Sequence, residues 1–164
     1  MNFKGLKDLE PVDDFYNGGA GGFGSTSTQN YGATFSGMAL AIQSYVQKGA
    51  GGFASPPKGT PALFFSTGTT GYVNIAGGFT AGTNFYYTGT QTVATVWSGT
   101  NGTGTVLATV TLSDNSGPAN GCPSFPTYCN WTLISLPFSG NAQSVTFSGQ
   151  ANQFGVASIT IGSP

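Results

Sequence analysis

Nine charged side chains make up the whole acid–base inventory of this chain. They are Lys4, Lys7, Lys48 and Lys58 against Asp8, Glu10, Asp13, Asp14 and Asp114, with no histidine and no arginine. A hydrolytic triad needs a histidine, or a lysine in its place, beside a serine or cysteine nucleophile. Here the lysines lie among N-terminal acids or in Gly/Pro-rich stretches. Glycoside hydrolysis needs two carboxylates flanking a cleft, yet four of the five acids fall within residues 8–14 and Asp114 is remote from them. The run GGAGGFG at 18–24 lacks the Gly-Lys-Ser/Thr ending and the following helix that make a phosphate loop. The chain therefore reads as a non-enzyme.

Two other chemistries remain. Asp8, Glu10, Asp13 and Asp14 could join carbonyls of the NGGAGG loop to hold Ca²⁺, a cation that takes six to eight oxygens. The competing reading, in which these acids solvate the first strand beside Lys4 and Lys7, is preferred, and no cofactor is expected. Cys122 and Cys129 flank the six residues PSFPTY. A metal site would need tighter spacing and two more ligands, so a short-loop disulfide is favoured over a metal site or two free thiols. Such a bridge contributes about 2–3 kcal/mol and belongs to an oxidising compartment. The sequons at Asn101 and Asn130 add little.

Aromatic rings are the remaining means of recognition. Trp97, Tyr86, Tyr128 and Trp131 are candidates for a platform that stacks on sugar rings, although most rings in the chain must build the core. In NFYYT, strand alternation sets Phe85 and Tyr87 on one face and Tyr86 on the other, so at least one ring lies outside the core.

Charge excludes further classes. Only 5% of residues are charged, against about 25% in ordinary soluble domains, and six of the nine lie in the first fourteen residues. Four scattered lysines make no footprint for nucleic acid or for an anionic membrane. No apolar run reaches the roughly 18 residues of a membrane span. The opening MNFKGLKD has no apolar central region, so any export signal lies outside this sequence.

The elements that must position these residues are strands. Runs at 92–98, 105–112, 131–138, 143–148 and 153–161 alternate apolar and polar residues. Further strands are expected at 2–9, 31–36, 38–46, 61–66, 71–76 and 83–88. Turn signals separate them, and Asn101-Gly102 is the strongest hairpin signal. Ten or so short strands indicate a single all-β sandwich or barrel over residues 1–164. The glycine-rich stretches 17–30 and 47–60 are expected as loops at one end of it.

Several stretches together resemble the exosortase-sorted (PEP-CTERM) bacterial surface proteins. These are FKGLKDLEPVDDFYNGG (3–19), Asn30-Tyr31-Gly32 followed by ATFSGMAL (33–40), WSGTNGTGTVLATVTL (97–112), the Cys-x6-Cys-Asn-Trp segment (122–131), and FSGNAQSVTFSGQANQFGVASITIG (138–162). The sorting tail itself is absent. The resemblance implies a secreted or cell-surface protein, a jelly-roll-like antiparallel β-sandwich similar to carbohydrate-binding modules, and association with an exopolysaccharide or biofilm matrix. Related sandwiches carry acids in the first and last strands that can ligate calcium; here those positions are Lys4 and Ala157, which disfavours the metal.

The resulting expectation is a non-catalytic structural subunit of an extracellular assembly that self-associates. The N-terminal segment is the expected intermolecular strand. The alternative is a carbohydrate-binding module that recognises exopolysaccharide through exposed aromatics.

Overall fold

Short neutral runs with one apolar face must each be covered, and two sheets that cover one another satisfy both. A computed structural model describes residues 1–36, 38–59 and 61–162. Its first sheet has the order β1 (Ala33–Phe35), β4 (Thr70–Phe79), β9 (Ala142–Gly149), β6 (Thr92–Trp97), β7 (Val106–Leu112). The second runs β2 (Ala39–Ile42), β3 (Ala62–Phe65), β10 (Phe154–Ile161), β5 (Gly82–Gly89), β8 (Thr132–Pro137). Every pairing is antiparallel. The chain changes sheet at every connection except β2 to β3 and β6 to β7, which gives the interleaved winding of a jelly roll. The all-β antiparallel sandwich is thus as the alternation indicates.

Individual expectations follow suit. Asn101 and Gly102 both take positive φ (57° and 68°) at the tip of the β6–β7 hairpin, where a left-handed pair matches the strand twist. In β5, Phe85 and Tyr87 are fully buried while Tyr86 is half-buried on the outer face. Val73, Val145, Phe147 and Val96 of the first sheet meet Leu63, Phe65, Phe85 and Val156 of the second in one cluster. Phe147 is its hub, with ring centroids 5.2 Å from Phe85 and 6.1 Å from Phe65.

The strand expected at 2–9 does not form. Phe3 and Leu9 both take φ of 59°, which no strand permits, and the segment makes only isolated bridges. The reason lies in the spacing of its apolar residues. Phe3, Leu6, Val12 and Phe15 all enter the core, and their separations of three and six residues suit a string of turns, not a period of two. The Tyr16 hydroxyl accepts the Asn2 and Phe3 N–H groups (3.1 and 2.6 Å) that a neighbouring strand would otherwise take. With Phe3 at 0% exposure, this segment packs into its own chain's core as turns and not as a strand.

The stretch 17–30 folds beside that segment. Of the stretch 47–60, whose last residue lies outside the described set as does Gly37, residues 50–54 lie against the outer face of the second sheet near the end of β5 and the start of β10.

Removing the hub ring should show how far the two sheets share one core. Phe147→Ala should lower unfolding stability by about 3–5 kcal/mol, read as a shift of the urea midpoint with an unchanged slope.

Candidate functional site

The N-terminal acids act on backbone, and they do so unequally. Glu10 is fully buried and accepts from Lys7 N–H (2.7 Å), Phe23 N–H (2.9 Å), Ser25 N–H (3.0 Å) and the Ser25 hydroxyl (2.6 Å). Burial opposes its charge, but the hydrogen bonds from Lys7, Ser25 and Phe23 together outweigh it and hold its pKa below the ordinary value. Asp8 accepts from Gln43 N–H (2.7 Å) and Ala50 N–H (2.9 Å). Each carboxylate therefore ties down one glycine-rich stretch. Asp13 and Asp14 are exposed, and Asp14 accepts from the Asn17 amide at 3.2 Å. Among the described residues, no three His, Cys, Asp or Glu side chains gather as a metal site.

A depressed carboxylate pKa stabilises the fold above the unfolded value, about 4.5, and that contribution disappears as pH falls through the lower folded value. Glu10→Gln should cost about 2–3 kcal/mol at pH 7, since buried amides lose a charged acceptor. The gap between wild type and variant should narrow in urea unfolding as pH falls below about 4.5.

Asp8 holds one end of a strap over the second sheet. Phe53 bridges Tyr128 in parallel, with Ala54 N–H donating to the Tyr128 carbonyl (3.0 Å) and Tyr128 N–H to that of Gly52 (3.4 Å). The Trp131 indole N–H donates to the Ala54 carbonyl at 3.1 Å, and its ring meets Phe53 edge-on at 5.7 Å. The structure joins Cys122 to Cys129 (Cα–Cα 5.5 Å) just before Trp131, closing the loop that carries Tyr128. Asn115 anchors that loop to β5 by accepting from Gly89 N–H (2.8 Å) and donating to the Tyr87 carbonyl (3.2 Å).

Between strap and sheet lies a cleft of about 320 Å³, within the range of small-ligand sites. Ile42, Phe53, Phe64 and Tyr128 wall it, and Thr88 and Gly155 line its base. Among the described residues, no charged side chain borders it. A Cβ on Gly155 would sit 3.6 Å from both Thr88 and Trp131, so the glycine keeps the base open. The Thr88 hydroxyl is buried and has no hydrogen-bond partner, on a residue that is 1% exposed. Burial, then the charge of Asp114, pushes the Tyr128 phenol up, so it stays neutral, donating to Gln153 Oε1 at 2.7 Å.

Three of the four aromatic candidates thus share one side of the molecule. Tyr128 lines the cleft, Trp131 packs over the outer face beside Phe53 and Gly155, and Tyr86 stands on the same sheet face opposite Ala157 and Leu133. Trp97 lies on the outer face of the other sheet, its indole N–H bound to Thr146 Oγ1 at 2.9 Å and its hairpin tip folded close beside it at Gly102. Phe53, Phe64 and Thr88 escape a reading of the sequence, because no local pattern says that a loop will cover an outer strand face. The sequence marks 47–60 as a glycine-rich loop but not the strand face on which residues 50–54 lie.

No family model matches the chain, and no curated protein aligns with it. Among solved structures it is similar to a mutant of the family 29 carbohydrate-binding module CBM29-2. The identity is 12%, over 84% of this chain and 88% of that one, with a TM-score of 0.45. It is also similar to a glycoside hydrolase family 43 arabinoxylan arabinofuranohydrolase from Bacillus subtilis in complex with cellotetraose, at 16% identity and TM-score 0.48. That match covers 84% of this chain and 29% of the other, so the chain spans less than a third of that enzyme. CsCBM6-3 from Clostridium stercorarium, in complex with cellobiose, is 18% identical over 68% of this chain and 80% of its own, with a TM-score of 0.39. The arrangement these comparisons share with the chain is the fold, a two-sheet antiparallel β-sandwich.

Proposed function

We propose that the domain binds a neutral polysaccharide in the cleft under the strap, as an exported module of the cell surface or its surrounding matrix. The observation that carries this reading is the unpartnered Thr88 hydroxyl at the base of a cleft walled by aromatic rings. A buried hydroxyl without a partner costs about 1–3 kcal/mol, and a ligand hydroxyl relieves that cost. Ring faces supply flat apolar contact for a pyranose, and a lining free of charge suits a sugar without acidic groups. The resemblance to exosortase-sorted surface proteins supports export.

Retention on insoluble and soluble polysaccharides tests the proposal. Tyr128→Ala should abolish retention. Thr88→Val should weaken it about tenfold, the loss of one well-placed hydrogen bond, while leaving unfolding stability equal to wild type or higher. Unchanged retention in both variants, or no retention on any neutral polysaccharide, would sink the idea.

A second reading rests on the edges. β7 and β8 end their sheets on the same side of the sandwich. Neither carries a charge, and Val106 and Leu133 are 46% and 54% exposed along them. Natural edges are normally guarded by charge, proline, bulges or cover. β7 has one irregularity at Leu107 and β8 a proline at its end. The uncharged stretches between, 108–112 and 132–136, suit lateral pairing with further copies, as in a filament or sheath. Assembly by light scattering should appear at high protein concentration and vanish in a Thr109→Lys, Leu133→Lys double variant.

A further inference from the structure

A second cleft of about 640 Å³ lies between the N-terminal segment, the 26–31 stretch and the end of β10. Its chemistry is the opposite of the first. Lys4 and Lys58, half of the cations in the chain, both line it, and among the described residues no carboxylate does. The acids nearest in sequence are engaged elsewhere, Asp8 on Gln43 and Ala50 and Glu10 on Lys7, Phe23 and Ser25. Neither lysine is neutralised from within the lining. Tyr31 offers a ring that is 42% exposed, and its hydroxyl donates to Gln29 Oε1 at 2.7 Å, which leaves the Gln29 amide nitrogen as the group to meet a ligand.

An independent observation marks the same place. Ser158 lines the cleft, is 8% exposed, and its hydroxyl has no hydrogen-bond partner. It sits where the register of β10 shifts between Ala157 and Thr160, an irregularity that redirects a side chain from its regular alternation. Among the described residues, the buried side-chain polar atoms without partners are Thr88 Oγ1 and Ser158 Oγ, and each belongs to one of the two clefts.

We propose that this cleft is a second binding site, taking an acidic sugar that carries a carboxylate or sulfate through Lys4 and Lys58, with Tyr31 under the ring. A charge-assisted hydrogen bond from a lysine ammonium is about twice as strong as a neutral one. Two of them converging on one anionic group favour it over a neutral sugar of the same shape. The site is separate from the cleft under the strap and shares with that reading only the class of ligand, a glycan. A polymer that alternates neutral and acidic residues would engage both clefts of one molecule and gain from the linkage.

Calorimetric titration of the intact domain with galacturonate oligomers, sulfated galactan fragments and neutral galactan fragments of equal length is the test. At least one acidic ligand should bind about tenfold more tightly than the neutral one. It should weaken several-fold in about 0.5 M NaCl, where charges beyond a few ångströms are screened. The ratio between the two acidic ligands tells carboxylate from sulfate recognition. Lys4→Gln with Lys58→Gln should remove that preference, whereas Lys48→Gln should keep it. Ser158→Ala should weaken binding without lowering stability. Tyr128→Ala should leave the acidic titration unchanged even as neutral retention is lost, which separates this proposal from the previous one. Equal binding of acidic and neutral fragments, no binding of either acid, wild-type affinity in the double lysine variant, or loss of acidic binding in Tyr128→Ala would each overturn it.

Discussion

A backbone N–H that no strand takes up must still find an acceptor once water is excluded, and this chain meets that requirement repeatedly in its first sixty residues. Glycine-rich stretches bring amides without side chains to shield them. In and beside these stretches, Glu10 accepts from the N–H groups of Lys7, Phe23 and Ser25, Asp8 from those of Gln43 and Ala50, and the Tyr16 hydroxyl from those of Asn2 and Phe3. These contacts convert segments that would otherwise wander into fixed walls. Both clefts have such a wall on one side and a strand of the second sheet on the other. Asp8 and Glu10 are therefore structural anchors, and the binding proposed above rests on hydroxyls, rings and lysines.

The second sheet carries most of the consequences. Its inner face builds the core through Phe85, Tyr87 and Val156, as any sandwich requires. Its outer face is also partly covered, by Phe53 and Trp131 from loops far apart in sequence. A covered outer face creates a place where polar groups can be buried without partners, which most folds avoid. Thr88 and Ser158 both lie on this sheet, in β5 and β10. The first sheet satisfies its outward hydroxyls internally, as in Thr70 with Ser148 (2.9 Å) and Thr95 with Thr109 (3.1 Å).

The sandwich was legible because period-two alternation is a local signal, and β3 to β10 fall close to the runs that show it. The Asn101-Gly102 hairpin and the Phe85–Tyr87 alternation were legible for the same reason. What could not be read is non-local. The turns of residues 2–9 are dictated by where the core needs Phe3 and Leu6, and the alternation of short apolar runs conceals that demand. The strap depends on Asp8 reaching Ala50 across 42 positions. The aromatic candidates were visible as residue types, but their division between two sheets depends on register, and Thr88 has no signature at all before the loop covers it. Lys4 and Lys58 come to line one cleft for the same non-local reason, since 54 positions separate them in the sequence.

Among the described residues, the ten strands carry no charged side chain, and this bears on how the protein meets proteases. Proteases that cut after lysine or arginine find no target in either sheet, and none anywhere beyond Lys58. Their few targets lie in the N-terminal segment and the strap. An enzyme of that kind would cut at the margins of both clefts, and a cut after Lys4 or Lys7 would also release Phe3 from the core, so the proposed binding and the packing of the scaffold would be lost together.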